Sequence, residues 1–154
     1  MTKHIAWLVA TVGLLCSCSG RGGDAQTNGD LRLSLRTGGV EEVEVFAIAE
    51  GANMSAWVNP TMLTTQYHLK LDIRKPALSE DEVSRLDRAL ARTECRPSAD
   101  RPDIRTGVIF VGTGGSWVRG FYYGPHGDKG QVDDHPCDLG AGLYEWARSR
   151  LPRY

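Results

Sequence analysis

Apolar and polar residues alternate in three segments of the chain, which is the period of a half-buried β-strand. Leu31, Leu33 and Leu35 alternate with charged or small polar residues, and a threonine–glycine turn separates them from an apolar run over residues 43–49. These two segments predict a β-hairpin. The most regular alternation covers residues 63–73 and predicts a third strand.

Two later segments have the spacing of amphipathic helices. Ser79 and Glu82 form a capping box in front of apolar residues that repeat three and four positions apart, which predicts a helix ending near Cys95. A final helix is predicted from Asp138 to about Arg150, because its apolar residues repeat at the same spacing.

Two further strands are predicted on either side of a glycine-rich turn at residues 112–115. Residues 107–111 and 117–123 would form this second hairpin. Residues 124–137 are predicted as a loop, and a short strand at residues 131–132 is the alternative. The order of elements is therefore β-β-β-α-β-β-α. It predicts an α+β fold in which two helices pack on one face of an antiparallel sheet of about five strands.

Composition and charge exclude several classes of protein. The 154 residues are 41% hydrophobic and 24% charged, which is typical of a globular domain rather than a disordered or fibrous chain. Eighteen Lys and Arg against nineteen Asp and Glu give a net charge of −1. Proteins that bind nucleic acid through its phosphates normally carry a basic excess, so we expect no nucleic-acid partner.

The first residues have the pattern of an export signal. An uncharged run over residues 5–15 is too short to span a membrane as a helix and has the length of a signal-peptide core. Residues 15–18, which read Leu-Cys-Ser-Cys, follow it and resemble the lipobox of bacterial lipoproteins. Cys16 departs from that pattern, because Ala, Ser, Thr or Val is more usual there. Ordinary secretion with cleavage after Ala25 is the alternative.

The resemblance implies that a signal peptide, residues 1–17, is removed and that Cys18 then carries a lipid anchor in the membrane. Ser19, in place of Asp after the lipidated cysteine, implies sorting to the outer membrane, with the protein facing the periplasm. Residues 18–29 would form a flexible, glycine-rich tether. Residues 30–154 would form a single globular α+β domain.

The two remaining cysteines, Cys95 and Cys137, are predicted to form a disulfide bond. Export places them in an oxidising compartment, where a remaining pair is more often a disulfide than a metal site. Their wide separation in sequence excludes a CxxC redox motif and a zinc knuckle.

The predicted loop holds four potential metal ligands, His126, Asp128, Asp133 and His135. Imidazole and carboxylate groups bind divalent metals, and a metal with an open position activates water. Their spacing matches neither HExxH nor an EF-hand loop. An ordinary solvated connector is therefore the favoured interpretation, and we predict no cofactor.

Aromatic residues in the predicted strand 117–123 form a candidate binding surface. Strand alternation would place Trp117, Arg119, Phe121 and Tyr123 on one face. Aromatic residues together with arginine are typical of protein-binding surfaces. The alternative is that the last helix covers this face and that Phe121 belongs to the core. The candidate partner-binding residues are Trp117, Arg119 and Tyr123, the last because it lies next to the polar loop.

Together these features predict an envelope-anchored lipoprotein that is not an enzyme and whose domain binds another envelope or secreted protein. An inhibitor or immunity protein that acts against a hydrolase or toxin fits the size and location, although no motif in the domain indicates it. One alternative is a metal-dependent envelope enzyme that uses the 126–135 loop. The other is a structural lipoprotein of an envelope complex.

Overall fold

Seven strands and four helices make up the part of the chain that this computed structural model describes, residues 25–52 and 57–152. In chain order the elements are α1 (Ala25–Arg36), β1 (Val40–Ala47), α2 (Pro60–Gln66), β2 (Leu69–Arg74), α3 (Glu80–Ala91), β3 (Cys95–Pro97), β4 (Thr106–Gly112), β5 (Trp117–Tyr123), β6 (Lys129–Val132), β7 (His135–Leu139) and α4 (Gly142–Arg150). The predicted signal peptide, residues 1–17, and the predicted lipidation site, Cys18, lie outside the described residues.

The strands form one sheet in the order β2-β1-β4-β5-β6-β7-β3, and every neighbouring pair is antiparallel. The predicted α+β class with an antiparallel sheet is therefore confirmed. The described residues contain seven strands instead of about five and four helices instead of two. None of the helices among these residues is long and apolar enough to cross a lipid bilayer.

The sheet separates two apolar cores, because its central strands carry apolar side chains on both faces. Helices α1, α3 and α4 cover one face, and the shorter α2 covers part of the other. The first core includes Leu31, Leu35, Val43, Val45, Leu86, Leu90, Val108, Phe110, Phe121, Tyr123, Leu143 and Trp146. The second core consists of Phe46, Ile48, Val58, Leu63, Ile104, Ile109 and Tyr122.

Residues 31–35, predicted as a strand, belong instead to helix α1. Leu31 and Leu35 are 2% and 3% exposed in the first core, whereas Leu33 is 62% exposed. The three leucines alternate as in a strand, but positions 31 and 35 are also about one helical turn apart. The helix begins at Ala25 and therefore includes the last residues of the predicted tether, 18–29.

An ion-pair cluster around Asp87 holds α1 against α3. Arg32 Nε lies 2.7 Å from one carboxylate oxygen of Asp87, and Arg36 Nη2 lies 2.7 Å from the other. The two arginines are one helical turn apart, so both reach the same carboxylate. The hydrogen bond from Arg32, assisted by Arg36, lowers the pKa of Asp87 to about 2.

The segment predicted as one long strand, residues 63–73, divides between a helix and a strand. Asn59 caps α2 by accepting a hydrogen bond from the Met62 N–H at 2.8 Å, and Pro60 occupies the first helical position. Both residues are signals for the start of a helix. The alternation of apolar and polar residues that follows them favoured a strand instead, so the helix was not predicted. Strand β2 begins only at Leu69 and pairs with β1.

Two predicted elements of the C-terminal half are confirmed: α3 begins at the Ser79 cap, and β4 and β5 form the second hairpin. Residues 124–137 are not a simple loop, because they contain β6, which includes the short strand predicted as the alternative at residues 131–132, and the start of β7. Strand β6 has only four residues, which is too short to show a clear period. Helix α4 begins at Gly142 rather than Asp138, since Asp138 lies in β7.

The predicted disulfide between Cys95 and Cys137 is present, with the two Cα atoms 5.3 Å apart. It joins β3 to its neighbour β7 and so links the chain after α3 to the chain before α4. Thr93 reinforces this junction, because its hydroxyl oxygen accepts a hydrogen bond from the Leu143 N–H at 2.9 Å. The end of α3 is thereby fixed to the start of α4.

Substitutions of the leucines in α1 should distinguish the helix from the strand that the sequence predicts. Leu31→Ala or Leu35→Ala should lower the free energy of unfolding by about 2–5 kcal/mol, because each removes a buried side chain. The matched control, Leu33→Ala, should change it by less than about 0.5 kcal/mol. Urea denaturation measures all three, and equal losses at the three positions would contradict the helix.

The low pKa of Asp87 predicts a stability contribution that depends on pH. A carboxyl group with a lowered folded-state pKa stabilises the fold above its unfolded pKa, near 4, and the stabilisation disappears as the pH falls towards about 2. Near pH 5, Asp87→Asn should therefore be less stable than the wild type by about 1–2 kcal/mol, a value reduced because Arg32 and Arg36 are partly exposed. Urea denaturation between pH 2 and pH 5 should show this difference vanish at the acid end. The control Asp81→Asn should follow the wild type, and a constant difference for Asp87→Asn would contradict the prediction.

Candidate functional site

A β-bulge in β5 decides which of the predicted partner-binding residues share a surface. Arg119 pairs with Phe110 whereas Trp117 pairs with Val111, so the register shifts by one residue at Val118. An extra residue interrupts the alternation of side chains along a strand. Trp117 consequently lies on the same side of the sheet as α2 and is 54% exposed.

Tyr123 is not the surface residue that the sequence predicts, because it is fully buried in the first core together with Phe121. Its ring packs against Tyr144 with the ring centroids 5.6 Å apart. Within the described part of the chain its hydroxyl has no hydrogen-bond partner, and burial raises the pKa of Tyr123. The alternative interpretation, that the last helix covers this face, therefore holds for Phe121 and Tyr123.

Gly120 allows two aromatic rings to lie over the same point of β5. A Cβ atom at this position would lie 2.7 Å from the hydroxyl oxygen of Tyr122 and 2.8 Å from Cη2 of Trp117. Those distances are far shorter than ordinary carbon contacts, so only glycine leaves room for both rings. The glycine thus places the Tyr122 hydroxyl beside the exposed indole of Trp117.

Asp133 is fixed next to these rings by the turn between β6 and β7. Its Oδ1 accepts a hydrogen bond from the Gly120 N–H at 2.8 Å, and its Oδ2 lies 3.8 Å from Nε of Arg119. Its φ of 51° lies in the left-handed region, which aspartate adopts more readily than most residues. Arg119, the third predicted partner-binding residue, is therefore engaged in a contact within the domain.

Burial first, and then the carboxylates of Asp133, Asp134 and Glu44, raise the pKa of Tyr122. Only 4% of Tyr122 is exposed, so the ring itself belongs to the second core. The residue contributes a polar edge to the surface between Trp117 and the two aspartates.

These side chains and α2 enclose a cleft with a volume of about 330 Å³, which we call the α2 cleft. It is lined by Pro60, Thr61, Thr64, Trp117, Tyr122, Asp133 and Asp134. Helix α2 is held in place by fully buried Leu63, and the missing side chain of Gly107 makes room for Leu63 against Tyr122. The position of α2 over the sheet therefore determines one wall of the cleft.

The α2 cleft has the chemistry to receive a positively charged side chain. The face of an indole ring attracts a cation, and carboxylates within the same cleft complete its neutralisation. Asp134 is exposed and has no ion pair among residues 25–52 and 57–152. Lysine and arginine both combine an apolar stem with a cationic head, which matches a cleft with one aromatic and one acidic wall.

The four predicted metal ligands do not come together. His126 and Asp128 lie in the turn before β6, whereas Asp133 and His135 lie beyond its other end. Four extended residues span about 13 Å, so the two pairs are too far apart to share one ion. The four residues were predicted as potential metal ligands only because they are close together in the sequence.

A different set of acidic residues does converge, on the exposed face of β1 and β2. Oxygen atoms of Glu42, Glu44 and Asp72 lie within 4.8 Å of one another. Lys70 is 3.0 Å from both Glu44 and Asp72, and Arg74 is 2.6 Å from Glu42. The side chains therefore form a ladder of ion pairs across the two strands, in which each of the three carboxylates is paired with Lys70 or Arg74.

Sequence reasoning identified Trp117 but missed its neighbours in the α2 cleft. Strand alternation predicted Tyr123 as the surface tyrosine, whereas Tyr123 is buried in the first core and Tyr122, on the other face of the sheet, lines the cleft. The Asn59–Pro60 pair was the available signal for α2, and with it Thr61 and Thr64 would have been placed on a helix. Comparison of the chain with protein families, curated proteins and solved structures finds no match.

Proposed function

We propose that this chain is an envelope-anchored lipoprotein whose domain binds another protein through the α2 cleft. The observation that carries the proposal is the exposed indole of Trp117, which lies beside the Tyr122 hydroxyl and the carboxylates of Asp133 and Asp134. Exposed tryptophan at the edge of a pocket is typical of residues that dominate binding energy in protein interfaces. The partner would insert a lysine or arginine side chain.

The charge of the cleft favours a basic protein segment over other ligands. Arg119 offsets part of the charge of Asp133, but Asp134 has no counter-ion among the described residues, so the cleft keeps a net negative charge. A negative surface repels nucleic-acid phosphates. The same charge attracts basic side chains and accelerates their association.

Further exposed aromatic residues extend the proposed interface around α2. Trp57, which precedes the helix, is 58% exposed, and Tyr67, which follows it, is 40% exposed. Tyr67 is held in place by Phe46, with the ring centroids 5.2 Å apart. Aromatic side chains at both ends of α2 supply the additional contact area that a protein partner requires and a small ligand does not.

The location of the proposed activity rests on the first residues of the sequence. The lipobox-like residues 15–18 support lipidation of Cys18, and Ser19 supports an outer-membrane position facing the periplasm. A small binding domain at that location suits an inhibitor or immunity protein whose target is a hydrolase or toxin. The target would present a basic side chain to the cleft.

Variants of the α2 cleft should lose the partner while the fold is preserved. Trp117→Ala should weaken binding about 30-fold or more, because a central tryptophan typically contributes 2 kcal/mol or more to an interface. Asp134→Lys should also weaken it, and more strongly at low salt, because the new charge repels a basic side chain. Capture from envelope and culture fractions, followed by calorimetry with the purified partner, measures both effects.

Leu33→Ala is the matched control for Trp117→Ala, because Leu33 is an equally exposed apolar residue on α1, beyond the opposite face of the sheet. This variant should retain full affinity. A partner that binds Trp117→Ala and Asp134→Lys as tightly as the wild type would refute the assignment of the α2 cleft.

Lipidation should depend on Cys18 and not on the neighbouring cysteine. Labelled palmitate should be incorporated into the wild-type chain and into Cys16→Ala, since alanine is usual at that lipobox position. Cys18→Ala should incorporate none, because the thioether to the diacylglycerol cannot form. A mature chain that starts at Gln26 without acyl groups would show ordinary secretion instead.

A further inference from the structure

A second concave surface lies between α3 and α4, on the side of the sheet opposite to the α2 cleft. This α3–α4 groove, with a volume of about 810 Å³, is walled by Arg85 and Arg88 of α3, by Arg92 directly after it, and by Glu145, Ser149 and Arg150 of α4. Arg85 and Arg88 are three residues apart on α3 and Arg92 follows four residues later at its C-cap, so the three arginines lie along one side of the helix. None of them belongs to the proposed protein-binding surface.

The floor of the groove is formed by side-chain contacts that join the two helices. Trp146 is buried, and its indole N–H donates a hydrogen bond to Oε1 of Glu82 at 3.0 Å. The other carboxylate oxygen of Glu82 forms an ion pair with Arg150, whose guanidinium also lies 5.9 Å from the Trp146 ring. Both carboxylate oxygens of Glu82 are thereby engaged with Trp146 and Arg150, so Glu82 does not neutralise Arg85 or Arg88.

The wall of the groove carries an excess of positive charge. Arg92 is paired with Glu145 at 3.3 Å, but both side chains are more than half exposed, so this ion pair contributes little and is easily exchanged. Arg85 and Arg88 are exposed and make no ion pair within residues 25–52 and 57–152. Two neighbouring guanidinium groups are therefore available for an anion.

The point where the chain enters the domain places this wall close to the proposed anchor. Helix α1 begins within the predicted tether, and the side-chain amide of Asn28 donates a hydrogen bond to the Thr93 carbonyl, just after α3, at 2.7 Å. Between Cys18 and Ala25 the chain can extend by at most about 25 Å. If Cys18 is lipidated, as the proposed function requires, the start of α1 stays within that distance of the lipid headgroups, and the layer of helices can reach them.

We propose that the α3–α4 groove binds the phosphate of anionic phospholipid headgroups. Arginine forms paired hydrogen bonds to phosphate oxygens, and Arg85 and Arg88 present two such groups side by side. Docking through this groove turns the helices towards the membrane. The α2 cleft, on the opposite face of the sheet, then points away from the membrane towards its partner. The inference rests on the proposed function, because the lipid anchor brings the groove to the surface.

The test uses the full processed chain in nanodiscs of phosphatidylcholine, with or without phosphatidylglycerol. A donor dye on Ser84→Cys reports the position of α3, and the same dye on Thr65→Cys reports that of α2. Energy transfer to an acceptor-labelled lipid measures which side of the domain lies at the bilayer. We expect stronger transfer from position 84, and only when phosphatidylglycerol is present.

The double variant Arg85→Gln/Arg88→Gln should lower the ratio of docked to undocked domain about 30-fold, since each arginine near an anionic surface strengthens association about fivefold. The matched control is Arg96→Gln/Arg101→Gln, which removes the same charge from exposed positions outside the groove. This control should dock like the parent chain. Circular dichroism confirms that all variants are folded.

Three results would overturn the inference. They are energy transfer that is the same with and without phosphatidylglycerol, an equal loss of docking in the two double variants, and stronger transfer from position 65 than from position 84. Tight binding of inorganic phosphate or polyglutamate to the groove without lipid dependence would also overturn it, because the occupant would then be soluble. The intact mass of the same preparation reports whether Cys18 is acylated, so failure of the anchor is seen separately. If the anchor is absent, docking on added anionic nanodiscs that is lost in the Arg85/Arg88 variant would still support the groove.

Discussion

The fold depends on one constraint: the central strands β1, β4 and β5 carry apolar side chains on both faces, so both faces of the sheet must be covered. Val45 and Phe46, adjacent in β1, belong to different cores. Helices α1, α3 and α4 cover one face, and the hydrogen bond between Trp146 and Glu82 joins α4 to α3. On the other side, the helix that covers the sheet among the described residues is α2, which has seven residues and is supplemented by Val58 and Ile104 from the loops. The apolar surface that remains next to α2 is where Trp117 is exposed.

The α2 cleft therefore forms where this face of the sheet is incompletely covered, and two glycines determine how the side chains pack there. Gly107 and Gly120 lie on adjacent strands, and each makes room for part of the Tyr122 ring. Asp133 then accepts a hydrogen bond from the backbone of Gly120, so the acidic wall is attached to the same strand as the aromatic one. Tyr122 thus belongs both to the second core and to the wall of the cleft, so the packing of that core also determines the shape of the cleft.

Elements with strong local signals could be predicted from the sequence, and elements decided by distant contacts could not. The Ser79 cap and the glycine-rich turn of residues 112–115 identified α3 and the β4–β5 hairpin because both signals act on the adjacent backbone. The leucines of α1 fitted two periods, and contacts with α3, more than 50 residues away, favour the helix. The bulge at Val118 has no recognisable signature, and it places Trp117 on the face opposite to the one that strand alternation predicts. Tyr123 lies on the predicted face, but helices cover that face. Of the residues that line the cleft, Trp117 was therefore predicted as a partner-binding residue, and Asp133 was predicted only as a potential metal ligand.

The two outer strands of the sheet have a consequence for behaviour at high concentration. An unpaired strand edge is a template on which another chain can add, and aggregation starts from such edges. Strand β3 offers only three residues, one of them Pro97, which has no N–H to donate. Strand β2 is longer, but every second residue is charged, and Lys70, Asp72 and Arg74 belong to the ion-pair ladder with β1. Both ends of the sheet thus resist the addition of a further strand, so the protein should stay dispersed where many copies are crowded together.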